Sequence, residues 1–99
     1  MTLDRAVACA VARASLLEAA LHSSRPWFIQ IGPVRSRARK IQRRHGIEFI
    51  AEFEDVPSHA KTVSLYEDNQ LRSSRGFDYP GDGCFSMAWN VQLEESVIA

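Results

Sequence analysis

From Phe85 to Leu93 the chain alternates without a break: Phe85, Met87, Trp89, Val91 and Leu93 are large and apolar, while Cys84, Ser86, Ala88, Asn90 and Gln92 occupy the positions around them. Successive side chains of a strand point to opposite faces, so this row commits one whole face to a core or a partner and leaves the other wet. The first expectation is therefore a β-rich packing unit.

The N-terminal stretch reads differently. Leu3, Val7, Ala10, Ala14, Leu17 and Leu21 recur at alternating steps of four and three, which predicts a helix over residues 3–22 with all six on one stripe. Thr2 is its N-cap, Asp4 suits the positive end of the helix dipole, and Ser23 and Ser24 lead to Pro26, where the pattern stops. Ala10 and Ala14 keep the stripe thin enough for a sheet or another helix to approach closely.

After Pro26 the pattern turns to β. Trp27, Ile29 and Ile31 alternate with Phe28 and Gln30 before Gly32-Pro33 breaks the run. Gly46 opens a second clear strand, with Ile47, Phe49, Ala51 and Phe53 on one face and Glu48, Glu52 and Glu54 on the other. Val63 and Leu65 mark a third, and Asp68-Asn69 predicts a hairpin whose return strand runs from Leu71 to Phe77. Tyr79-Pro80-Gly81-Asp82-Gly83 is a cluster of turn residues leading into the opening row. The sum is mainly β with an N-terminal helix (α+β), a single domain over 1–99: the helix at 3–22, then an antiparallel β-domain over 26–93. A small antiparallel β-sandwich or partial barrel fits, because the spacings are too short for parallel crossovers.

At 99 residues the chain buries roughly two-thirds of its unfolded surface, enough for one modest core. No apolar run is long enough to cross a bilayer, and Asp4, Arg5, Arg13 and Glu18 interrupt the N-terminal apolar stretch, which argues against a signal peptide and against a membrane partner. Cys9 and Cys84 lie far apart and read as small buried thiols.

Chemistry-bearing groups are sparsely patterned. His22, His45 and His59 lack ligand spacing, so no metal is expected unless a distant histidine converges on Cys84. No G-x-S-x-G elbow surrounds Ser86, and Gly81-Asp82-Gly83 is too short to cradle a nucleotide. Alternate acids at Glu48, Glu52 and Glu54 read as a solvent face. The expectation is no catalytic residue, no cofactor and no enzyme.

Charge carries the strongest signal. Net charge is zero, yet residues 1–45 hold nine Lys/Arg against two Asp/Glu and residues 46–99 hold three against ten. Within the basic half, Arg35, Arg37 and Arg39 alternate and Lys40, Arg43 and Arg44 follow. On a strand the alternating three form one row at about 6 to 7 Å spacing, comparable to phosphates along a nucleic-acid strand. That row suits nucleic acid, or an edge strand kept soluble by charge, or a partner for Glu48, Glu52 and Glu54 across a sheet or subunit boundary. No aromatic platform adjoins the cluster in sequence. Trp27 and Phe28 are adjacent, so they cannot share a core, and one of them is expected at an interface.

The order helix, Trp27-Phe28-Ile29-Gln30-Ile31, basic strand, then Phe53-x-x-Val-Pro-x-x-Ala60-x-x-Val63-x-Leu65-Tyr66-Glu67-Asp68 resembles small tail-fibre or minor tail proteins of tailed bacteriophages, as does Pro80-Gly81-Asp82 before an alternating strand. The chain lacks the Gly-rich insertion common after the first strand of such proteins, so a head–tail connector piece or a capsid decoration protein stays open beside a tail component. The resemblance implies a non-enzymatic structural protein of the virion, made in the host cytoplasm. It would be a homo-oligomer docked on other virion proteins, with Trp27, Phe28, Arg35, Arg37, Arg39, Lys40, Arg43 and Arg44 as interface or anchoring candidates. The alternative is a small nucleic-acid-binding or host-modulating protein using the Arg35 to Arg44 segment.

Overall fold

The structure is a computed structural model that describes residues 8–15, 22–54, 56, 60–77 and 85–93. They form seven strands: β1 (Ala8–Ser15), β2 (Trp27–Ile31), β3 (Val34–Arg43), β4 (Gly46–Phe53), β5 (Thr62–Glu67), β6 (Gln70–Gly76) and β7 (Phe85–Val91). All belong to one sheet of order β6-β5-β2-β3-β4-β1-β7. The sheet is curled into a half-barrel, so the mainly β expectation holds. Its two edge strands approach each other, where the Trp89 indole N–H on β7 donates to Ser73 Oγ on β6 at 3.5 Å.

Three tight turns build the middle of the sheet. Gly32 adopts φ +54 in the two-residue link between Ile31 and Val34, a conformation that favours glycine. Arg44-His45 joins β3 to β4, and Asp68-Asn69 joins β5 to β6 with Asp68 at φ 55, which makes the expected hairpin. Gly46 is required for another reason: a Cβ there would lie 2.2 Å from the Ala14 carbonyl oxygen on β1.

The long strand β3 belongs to two neighbourhoods. Residues Val34 to Ala38 pair with β2, and Arg39 to Arg43 pair with β4. Trp27 and Phe49 stack at this junction with ring centroids 4.3 Å apart. On the β2 side the core is aliphatic, from Ile29, Ile31, Val63 and Leu65. On the β4 side large rings meet small residues: Ala12 lies opposite both Phe49 on β4 and Trp89 on β7.

Three sequence expectations are corrected. Ala8 to Ser15 is a strand, not part of a helix over 3–22; residues 3–7 and 16–21 of that expectation lie outside the described residues, and His22 is in a turn. Ala10 and Ala14 share a face in either conformation, because a spacing of four satisfies both periods. The neighbouring rings decide it: Ala10, Ala12 and Ala14 are all buried while Arg13 and Ser15 are exposed, the period of a strand. Intrinsic helix preference of alanine is overridden by packing. The sheet is also mixed rather than wholly antiparallel, because β1 pairs with β7 in parallel. Short local links cannot make such a pair, but β1 and β7 are joined through the whole domain, which serves as the crossover. Finally, Trp27 is 2% exposed and belongs to the core, leaving Phe28 as the outward ring.

Candidate functional site

The pleat sends Phe28 and Gln30 of β2, Arg35, Arg37 and Arg39 of β3, and Tyr66 of β5 to the face opposite the core. Register then sets who meets whom. Phe28 stands between Arg37 and Tyr66, and Gln30 between Arg35 and Ser64. The Arg35 guanidinium lies over the Tyr66 ring at 4.2 Å and over Phe28 at 5.6 Å, while that of Arg37 lies 5.8 Å from Phe28. Both are within cation–π range. Arg35 Nε donates to Gln30 Oε1 at 3.1 Å, and Gln30 Nε2 donates to the Gly32 carbonyl at 2.9 Å, so the turn glycine indirectly orients this guanidinium. Two aromatic rings therefore adjoin the basic row that looked isolated in sequence. The missing signal was strand register, since Tyr66 lies far along the chain.

Where β2 stops pairing at Ala38, the β2-side edge of β3 opens into a cleft of about 510 Å³ beside the 23–25 turn. Four cations line it, Arg25, Arg37, Arg39 and Lys40, together with Ser23 and Ser24. Lys40 Nζ donates to the Ser23 carbonyl at 3.0 Å and so ties the turn to β3. A second hollow of about 460 Å³ on the other side of the row brings Glu52 and Ile50 near Arg37 and Arg39. No carboxylate is paired with Arg35, Arg37 or Arg39 among the described residues.

The remaining basic candidates are placed otherwise. Arg43 Nε donates to Glu48 Oε1 at 2.7 Å and Arg13 Nε to Glu48 Oε2 at 3.1 Å, a surface triad. The Arg43 hydrogen bond is the main reason the Glu48 carboxyl sits below its usual range; desolvation opposes it and Arg13 adds to it. Arg44 is exposed in the β3–β4 turn. Of the three acids considered as partners for the arginine row, Glu48 serves Arg43 and Arg13 instead.

A buried acid sits at the rim of the core. Glu67 accepts a 2.6 Å hydrogen bond from Ser23 Oγ and is ion-paired with Arg72 Nη1. Arg72 reaches it because a bulge shifts register between Leu65 and Tyr66, pairing Tyr66 with Leu71 and leaving Arg72 as the extra residue. Its guanidinium also lies 5.7 Å from the Trp27 ring. These contacts brace the 22–25 turn, β5 and β6 against one another.

Among the described residues no three His, Cys, Asp or Glu side chains converge as metal ligands; His59 and Cys84 lie outside them. Compared with protein-family models, curated proteins and solved structures, the chain matches none.

Proposed function

We propose that the chain is a non-enzymatic structural component of a bacteriophage virion, a tail-fibre or minor tail protein or a head–tail or capsid decoration protein. It acts by assembling with copies of itself and with other virion proteins. The virion assignment rests on the resemblance carried by Trp27 to Ile31 and Phe53 to Asp68. The observation that carries assembly is the sheet edge: β6 has no strand on its outer side among the described residues, and Leu71 there is 52% exposed. An edge strand offers unpaired N–H and C=O groups to a further strand. Pairing of β6 with β6 of a second copy across a two-fold axis would satisfy them and cover both copies of Leu71.

Light scattering on the eluting protein should show a dimer or larger species that Leu71→Arg converts to monomer, with an unchanged circular dichroism spectrum and a melting temperature that no longer rises with protein concentration. Purified particles should contain the chain in many copies. A wild-type monomer at high concentration, or a chain found in infected cells but absent from particles, would defeat the reading.

A further inference from the structure

The outward face of β2, β3 and β5 is built of cations and rings, and β6-edge assembly accounts for neither. We propose that this face binds single-stranded nucleic acid. Its backbone would follow Arg35, Arg37 and Arg39 into the cleft beside the 23–25 turn, and its bases would stack against Phe28, Tyr66 and the guanidinium planes above them.

Three observations carry this. The first is charge: Arg25, Arg37, Arg39 and Lys40 line the cleft, no carboxylate pairs with Arg35, Arg37 or Arg39 among the described residues, and Glu52 is the acid in the neighbouring hollow. A polyanion that meets such a lining releases counterions, which drives binding at low salt. The second is spacing, because alternate residues of one strand repeat at about 6.5 to 7 Å and so meet an extended backbone as a row rather than as a point. The third is the pair of rings. A protein surface that needs only to repel aggregation uses charge alone, whereas Phe28 and Tyr66 stand half-buried beneath Arg35 and Arg37 on a sheet face. Rings and guanidinium planes offer flat faces to unstacked bases, which a duplex hides in its own stack. The hydrogen bond from Arg35 Nε to Gln30 holds one such plane in place before anything binds. An acidic protein segment would satisfy the charges but has no use for the rings, so single strands are favoured over it.

The test is fluorescence anisotropy with a labelled oligothymidylate of about 16 nucleotides, the upper end of what a small β-domain covers, between about 50 and 200 mM salt. The expected result is saturable binding that weakens steeply with salt and exceeds binding of a duplex of the same length. Arg35→Gln/Arg37→Gln, both exposed and so expected to melt like the wild type, should weaken binding at least ten-fold. It should also flatten the log–log salt slope by about 1.4, roughly 0.7 for each phosphate of a single strand that the variant leaves without its arginine. Phe28→Leu should weaken binding about five-fold or more with an unchanged slope. Arg75→Ala, which removes an exposed charge from β6, should leave affinity within two-fold. No binding of the single strand at 50 mM salt overturns the proposal. So does equal or tighter binding of duplex or labelled polyglutamate, an Arg75→Ala loss equal to that of the double variant, or an unaltered affinity for Phe28→Leu. None of these outcomes bears on assembly through β6, which light scattering reads separately.

Discussion

Arg37 and Arg43 stand on the same face of the same strand, yet they have opposite fates. Arg37 lies opposite Phe28 of β2 and faces solvent with no carboxylate paired to it among the described residues, while Arg43 lies beside β4 and is held by Glu48, which Arg13 of β1 also engages. The two halves of β3 differ in their neighbours, β2 beside the first and β4 beside the second. On the β2 side an aliphatic core backs an outward face of rings with the Arg35 and Arg37 guanidinium groups above them. On the β4 side a core of rings and alanines backs an outward face on which Glu48 engages Arg43 and Arg13, with Arg39 at the junction of the two halves. An arginine row is thus a binding surface or a surface ion pair according to the strand beside it.

The largest expected break of this contrast comes from removing volume on the β2 side. Leu65 is fully buried, and Leu65→Ala should cost about 2 to 5 kcal/mol in urea unfolding. A cost under about 1 kcal/mol would mean that the aliphatic half is loosely packed and does not back the arginine face. On the β4 side the sensitive change is the reverse. Ala12 is buried opposite Phe49 and Trp89, so Ala12→Leu should destabilise by about 1 to 3 kcal/mol through overpacking. A neutral or stabilising Ala12→Leu would remove β1 from between those two rings and reopen the helical reading of its alanines.

The smallest effect concerns the charges that Glu48 engages. Glu48→Gln should cost at most about 1 kcal/mol at pH 7, since its arginine partners are largely exposed. The Glu48 carboxyl is shifted down, chiefly by the Arg43 hydrogen bond, so its contribution is fully present above the unfolded carboxyl pKa. It is lost as pH falls through the lower folded value. Unfolding midpoints of wild type and Glu48→Gln should therefore differ at pH 7 and converge in acid. A gap that widens in acid would contradict the triad.

The strands with one clean alternating face were legible. Trp89 and Val91 are buried where the row from Phe85 to Leu93 puts them, and Ile47, Phe49, Ala51 and Phe53 share the inner face of β4. Turn chemistry at Asp68-Asn69 marked a hairpin and Gly32-Pro33 marked the end of a strand, because few residues accept the backbone angles found there; that the second is also a hairpin shows only in the pairing of β2 with β3. Ala8 to Ser15 was misread because small residues spaced by four are compatible with either period, and only the rings of Phe49 and Trp89 choose between them. At the candidate site, parity alone reveals the row Arg35, Arg37 and Arg39. That Tyr66 sits under Arg35 depends on how β2, β3 and β5 align, which no local pattern encodes. The placement of Arg72 depends on a one-residue bulge, equally silent in sequence.

The position of β1 has a consequence for how the domain comes together in time. Both strands that satisfy its backbone, β4 and β7, lie later in the chain, whereas β2, β3 and β4 each meet a partner across a short turn. A ribosome working from the N-terminus therefore makes β1 before either of its neighbours exists, and that strand must wait, unpaired, for a gap between two others to be built around it.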